Sequence, residues 1–226
     1  MIIAKRKPFR EIVESLEGFE SVLIAGCGTC VAVCLAGGEK EVGLLSSQLA
    51  IASELKGKPL KIGEATVERQ CDREFLQELR RKVIDYDVVL SLACGVGIQF
   101  LAEQYPHKVV LPGVDTSFIG ANDEVGFWTE RCRMCNQCHL ALTGAICPVT
   151  ICPKGLLNGP CSGMRKGMCE VDQEKPCAWI MIYERLEQTG RLEQIKEIAP
   201  PQRHGKRTTP AHMVHKAYKR RLTAND

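Results

Sequence analysis

The sequence predicts an α/β protein: a small doubly wound parallel sheet, then a cysteine-rich, metal-ordered C-terminal domain ending in a helix and a basic tail. Three observations lead there. Apolar strand-like segments alternate with amphipathic helical ones up to about residue 120, the pattern of a parallel sheet covered on both faces. Thirteen cysteines occur among 226 residues, several at two- and three-residue gaps. An amphipathic stretch then returns at 178–198 and stops at Pro200-Pro201, ahead of a tail rich in Lys and Arg.

Taken in order, residues 8–20 read as a short amphipathic helix and Ser21–Ala25 as a buried strand running into the turn Gly26-Cys27-Gly28-Thr29-Cys30. Residues 39–56 are helical by pattern, with Leu45, Leu49, Ala52 and Leu55 on one stripe. A Gly57–Pro59 break precedes a second strand near 60–67, and a helix near 73–83 spaces Phe75, Leu76, Leu79 and Val83 helically. Asp87–Ala93 is the third strand, 98–105 a helix, and Lys108–Leu111 a fourth strand closed by Pro112-Gly113. The strand-to-Cys-Gly run at Val22–Gly28 is echoed at Val89–Gly95, as expected where one βα unit repeats.

Beyond residue 120 this alternation stops. The pattern divides the chain into an α/β domain (1–120), a cysteine-rich metal-binding domain with a terminal helix (121–199) and the basic tail (200–226). The middle segment has little apolar periodicity, so its order is expected to depend on metal. In the last helix Trp179, Ile182, Tyr183 and Leu186 fall along one face, and Trp179 reads as core.

Composition narrows the function. Hydrophobic residues are 45% and charged residues 25%, ordinary for a soluble protein. No stretch approaches the ~18–20 apolar residues of a membrane span. The opening Met-Ile-Ile-Ala-Lys-Arg-Lys leads into acidic helix-like sequence, which argues against a secretory signal. An odd cysteine count then disfavours a disulfide scaffold and favours a cytoplasmic metalloprotein. The tail holds Arg203, Lys206, Arg207, Lys216, Lys219, Arg220 and Arg221 against one Asp, a net +6 that leaves −3 for the rest of a chain of net charge +3. It reads either as solvated chain or as a docking arm for an acidic partner. Nucleic acid is not expected as a partner, because the tail offers only Tyr218 for stacking and no reader motif.

Ligands of parallel α/β sheets bind outside the carboxyl ends of the strands. Cys27 and Cys30 follow the first predicted strand, Cys71 the second and Cys94 the third, so all four should share one sheet edge. Cys34, one turn beyond Cys30, can replace one of them. Thiolates from dispersed loops suit a 4Fe–4S cluster, which needs four; structural zinc and unligated thiols are the alternatives. Gly26, Gly28, Gly95 and Gly97 are expected to turn amide N–H groups toward sulfide. The same glycines do not make a dinucleotide turn: Val31 and Phe100 stand where the third glycine of Gly-x-Gly-x-x-Gly belongs.

The second half supplies Cys132, Cys135, Cys138, Cys147, Cys152, Cys161, Cys169 and Cys177. Cys132-x2-Cys135-x2-Cys138 with the later Cys147-Pro148 and Cys152-Pro153 has a ferredoxin-like rhythm, although the gap before the last ligand is longer. Eight thiols can hold two four-thiolate sites, or one cluster and one zinc. His139 beside Cys138 suits zinc, but alone reads as a surface residue or as a support behind a ligand. Asn158-Gly159-Pro160-Cys161 is first a tight turn that positions Cys161.

Several strings resemble the small cysteine-rich companion subunit of the methylenetetrahydrofolate reductase of acetogenic bacteria. They are Cys27–Cys34, Arg69-Gln-Cys-Asp72, Leu90–Gly95, Leu157–Gly163, Cys169-Glu170, Cys177–Trp179 and Ile182–Leu186. The resemblance spans roughly residues 15–195, and its second half is similar to the domain named for that reductase's C-terminal region. It implies an iron–sulfur subunit with two or more 4Fe–4S clusters, zinc in some members, and a catalytic partner carrying FMN or FAD. That partner reduces 5,10-methylenetetrahydrofolate to 5-methyltetrahydrofolate, and further redox subunits can join. Two roles stay open: passing electrons to the partner's flavin, or scaffolding the complex with structural metal. A self-sufficient enzyme is disfavoured, because cysteines occupy the positions where a substrate would bind.

Overall fold

The computed structural model describes residues 1–202 and 210–215. The seven Lys and Arg residues of the basic tail, and the docking-arm expectation, lie outside the described residues. The chain divides into two units at Arg131/Cys132.

The first unit contains, in chain order, β1 (Ile2–Arg6), α1 (Phe9–Ser15), β2 (Ser21–Cys27), α2 (Cys30–Val33), α3 (Glu39–Leu55) and β3 (Lys61–Val67). There follow α4 (Arg73–Leu76), a 3₁₀ turn (Gln77–Leu79), α5 (Arg80–Val83), β4 (Val88–Ser91) and α6 (Gly95–Gln104). Three strands end the unit: β5 (Val109–Pro112), β6 (Val114–Glu124) and β7 (Phe127–Cys132). Strands β3-β2-β4-β5 form a parallel sheet in that order. The protein is therefore α/β, with the four parallel strands expected.

Burial follows position in the sheet. β2 and β4 are central, so both of their faces are covered and every residue in each is buried. β3 and β5 lie at the edges and are partly exposed. Alternate residues of the central strands enter two cores. Val22, Ile24, Val88 and Leu90 pack with Ile12 of α1 and Val42, Leu45 and Leu49 of α3. Leu23, Ala25 and Val89 pack with Leu76, Leu79, Val83 and Leu101 on the other face. Helical segments thus cover both faces, as a doubly wound sheet requires.

Several local expectations shift. The stripe on α3 is Val42, Leu45 and Leu49, and Leu55 is 84% exposed. The helix expected over 73–83 is broken by the 3₁₀ turn, whose three-residue period still leaves Leu76, Leu79 and Val83 buried. The helix expected from 98 begins at Gly95, with Cys94 as its N-cap residue.

A second sheet, β1-β6-β7, is antiparallel and was not expected. β1 pairs with β6 from Ile2–Ile119 to Arg6–Val114. β6 runs through residue 120 and β7 returns along it, which extends the first unit to Arg131. Gly120 permits this pairing, because a Cβ there would lie 2.0 Å from the Thr129 carbonyl oxygen.

The second unit has few regular elements: α7 (Pro148–Ile151), α8 (Ala178–Gln188) and a 3₁₀ turn (Leu192–Lys196). Its core is Ile146, Cys177, Trp179, Ile182 and Leu186. Trp179 is buried, as expected, and donates Nε1–H to the Leu156 carbonyl at 2.9 Å. Tyr183 instead lies outside that core and is exposed. α8 stops at Gln188, short of the expected 198, because Gly190 (φ 67°) turns the chain. Among the described residues, no helix is long and apolar enough to cross a membrane.

The first turn of the sheet has an acid-sensitive clasp. The Asp87 carboxylate accepts from Glu20 N at 3.1 Å and Ser21 N at 2.8 Å, while Asp87 N donates to Ser21 Oγ at 2.9 Å. The Ser21 side chain and then its amide hold the Asp87 carboxyl below its ordinary value, with the Glu20 amide and Lys108 adding. A depressed carboxyl stabilises the fold above its unfolded pKa of about 3.9, and that stability is lost as pH falls through the folded value. Asp87→Asn is expected to lower the melting temperature at pH 7 and to narrow the gap to wild type below pH 4. Parallel melting curves across pH 3–7 would show that the clasp contributes nothing.

Candidate metal centre

The reversal of strand order between β2 and β4 opens a crevice at their carboxyl ends, the usual ligand position in such sheets. Cys27 is the last residue of β2, and Cys30 opens α2. Cys71 lies between β3 and α4, and Cys94 stands between β4 and α6. Burial raises the Cys71 thiol above its ordinary value, and charge on Cys27, Cys94 and Cys30 raises it further. The Cys71 residue as a whole is exposed. Four thiols thus follow the ends of three neighbouring parallel strands, and Cys71 feels the other three.

Local backbone fixes this arrangement. Cys27 N donates to Gly37 O at 2.8 Å, closing the loop that carries Cys30 and Cys34. Gly37 itself abuts the end of β4, where a Cβ would stand 1.9 Å from the Leu92 carbonyl oxygen. Only glycine allows that approach.

Cys34 belongs elsewhere. It is 6% exposed within the core, and its Sγ accepts from Ala4 N at 3.4 Å and donates to Ala4 O at 3.4 Å. Burial is the main cause of its raised thiol pKa. The structure thus spends Cys34 on β1, which the sequence reading did not anticipate. The glycine amides also differ from expectation. Gly28 N donates to Val67 O at 2.9 Å and Gly95 N to Thr116 Oγ1 at 2.9 Å, so both are spent on protein acceptors.

Two residues that the motif reading passed over organise the edge. Gln70, fully buried, donates from Nε2 to Ala25 O at 2.8 Å and Gly26 O at 3.0 Å. Its Oε1 accepts from Ser91 Oγ at 2.7 Å. The available signal was a polar Ser within the apolar run 88–93, and a Gln directly before a cysteine.

In the second unit, Cys132 ends β7, and Met134 and Asn136 adopt left-handed conformations (φ 52° and 55°) around Cys135. Met134 N donates to Cys132 Sγ at 3.4 Å, and Cys135 Sγ donates to Gln137 O at 3.3 Å. Cys147 and Cys152 flank α7, and Thr150 Oγ1 donates to Cys147 Sγ at 3.4 Å. Cys161 follows Gly159 (φ 105°), the tight turn expected, and its Sγ donates to Glu170 Oε2 at 3.5 Å beside Lys154. Cys169 N donates to Lys175 O at 2.9 Å and Cys177 N to Gly167 O at 2.8 Å. Cys138 is exposed, whereas the adjacent His139 is 9% exposed and its Nε2 has no partner. His139 is therefore not a surface residue.

All thirteen cysteines are unpaired thiols. Among the described residues no three His, Cys, Asp or Glu side chains already stand at metal-ligand distance. Cys27, Cys30, Cys71 and Cys94 are four soft donors from the ends of three strands, the donor type that iron–sulfur groups take.

Residues 111–205 match a family model described as Methylene-tetrahydrofolate reductase C terminal. No curated protein and no solved structure matches the chain. The match takes in the β6–β7 hairpin and most of the second unit, and the α/β layer before it lies outside the match. Residues 111–205 are accordingly similar to the C-terminal region of methylenetetrahydrofolate reductases.

Proposed function

We propose that the chain is an iron–sulfur electron-transfer subunit of a methylenetetrahydrofolate reductase complex. It would pass electrons to the flavin of a catalytic subunit that reduces 5,10-methylenetetrahydrofolate to 5-methyltetrahydrofolate. The observation that carries the reading is the placement of Cys27, Cys30, Cys71 and Cys94 in the segments that leave the carboxyl ends of the parallel strands β2, β3 and β4. The match over 111–205 supplies the link to the reductase.

Cys27, Cys30, Cys71 and Cys94 would hold a 4Fe–4S cluster, which stores and releases single electrons, the supply that flavin chemistry needs. Cys132, Cys135, Cys138, Cys147, Cys152, Cys161, Cys169 and Cys177 would hold further iron–sulfur or zinc sites. Val96, just over half exposed and two residues beyond Cys94, suits a protein partner at that rim.

A scaffold role is the second reading, and the second unit favours it. Residues 133–177 contain a single helix of four residues, so a structural metal would supply the order that packing does not. Metal content separates the two readings. After anaerobic purification the full chain is expected to carry at least four irons, with matching sulfide and a reducible visible band. Colourless protein holding only zinc would establish the scaffold. Cys27→Ser or Cys94→Ser should abolish one paramagnetic signal of the reduced protein and leave signals from the second unit. Cys34→Ala should keep that signal while costing about 1–2 kcal/mol of stability for a small buried side chain. Loss of the signal with the fold intact would make Cys34 a ligand.

A further inference from the structure

We infer that Gln70 is the positioning residue of the thiol edge: one buried, uncharged carboxamide joins the loops of Cys27, Cys71 and Cys94 and holds them in register before any ion binds. The inference rests on reading that edge as the metal centre, but its physical content lies in the chain alone.

A carboxamide has two N–H donors and one oxygen acceptor site in use here, and Gln70 spends them on two strands. Nε2 donates to Ala25 O and Gly26 O at the end of β2. Oε1 accepts from Ser91 Oγ at the end of β4, and the same hydroxyl accepts from Ala93 N at 3.2 Å. The three endpoints are distinctive. Gly26 immediately precedes Cys27, Ala93 immediately precedes Cys94, and Gln70 immediately precedes Cys71. The network therefore reaches the residue directly before each of the three thiols, Gly26 by Nε2 and Ala93 through Ser91 Oγ.

No other side chain substitutes at this spot. Asn is one methylene shorter. Glu would set a carboxylate oxygen against the Ala25 and Gly26 carbonyl oxygens, acceptor against acceptor. Leu would leave Gly26 O and Ser91 Oγ without their present partner in a water-free place. Ala25 O would keep the Leu92 amide at 2.8 Å, so the loss falls on the groups nearest Cys27 and Cys94. The fit is close from the other side as well. A Cβ on Gly97 would lie 2.9 Å from Gln70 Cβ and 2.8 Å from Ala93 Cβ, so glycine there lets α6 seat against the network.

A general core role would lower stability without singling out these loops; a positioning role is read locally. The test uses the full chain as wild type, Gln70→Leu, Gln70→Glu, Gln70→Asn and Ser91→Ala. Amide hydrogen exchange is measured without metal, then iron content and the paramagnetic spectrum after anaerobic reconstitution with ferrous iron and sulfide. In Gln70→Leu and Gln70→Glu, exchange at Cys27 and Ala93 is expected to rise about tenfold or more over that at Val22 and Val89. Iron retained at this edge should fall at least threefold, with a broadened signal. Ser91→Ala removes only one arm, so exchange should rise at Ala93 and stay unchanged at Cys27. Because Ser91→Ala also removes the Ala93 amide's own acceptor, Gln70→Asn, which keeps the carboxamide on a shorter stem, decides the matter if the other Gln70 variants do not fold: exchange at Cys27 should rise over that at Val22, and no rise overturns the inference. Unchanged exchange at both loops overturns the inference, with or without iron. Wild-type protein that takes up no iron at this edge, together with the tenfold local rise in Gln70→Leu, refutes the metal reading and upholds the positioning role.

Discussion

Parallel strands end together. In the first unit this constraint generates the chemistry: β2, β3 and β4 run the same way, so the loops leaving them emerge on one edge, and the loops carry the cysteines. An antiparallel arrangement of the same strands would have sent the Cys71 loop, or the Cys94 loop, to the opposite edge. The crevice between β2 and β4 arises because the chain crosses to β3 on one side and then returns to place β4 on the other. Once that order is set, a pair of buried polar residues suffices to align the ends. Gln70 and Ser91 sit where water cannot reach, and there a satisfied hydrogen-bond network is rigid while a broken one is costly.

The second unit works differently. Its chain turns through left-handed residues at Met134, Asn136, Ala145 and Lys166, conformations that cost a non-glycine residue energy unless the surroundings require them. Sulfur atoms act there as hydrogen-bond acceptors, Cys132 Sγ for Met134 N and Cys147 Sγ for the Thr150 hydroxyl. Against this, the α8 face of Trp179, Ile182 and Leu186 forms a modest apolar anchor. The family match falls on this unit and on the hairpin before it, so the relation to the reductase and the thiol edge reside in different parts of the chain.

The parallel layer was legible because its signals are local: apolar runs at β2 and β4, helical spacing at α3, and glycine or proline at the breaks. The edge was legible for the same reason, since each cysteine follows a recognisable strand. The antiparallel layer was not. Ile2–Arg6 is a short basic-flanked segment whose partner lies more than a hundred residues away, and no local pattern encodes that pairing. Missing β1 also hid the role of Cys34, whose hydrogen-bond partner is Ala4. Gly97 lies within α6, where close packing against Ala93 and Gln70 leaves no room for a Cβ, a contact that no local pattern announces. Gln70 went unnoticed because one polar side chain in a loop resembles solvent-facing sequence until its burial is known.

The central claim is that Cys27, Cys30, Cys71 and Cys94 together grip iron and sulfide. Mössbauer spectroscopy of the full chain, prepared anaerobically with iron-57 and compared with Cys71→Ala, addresses it directly. The account predicts a sulfur-coordinated iron component that disappears in Cys71→Ala while the remaining iron is unchanged. An identical spectrum from both proteins, or a wild-type chain without sulfur-bound iron, would contradict it.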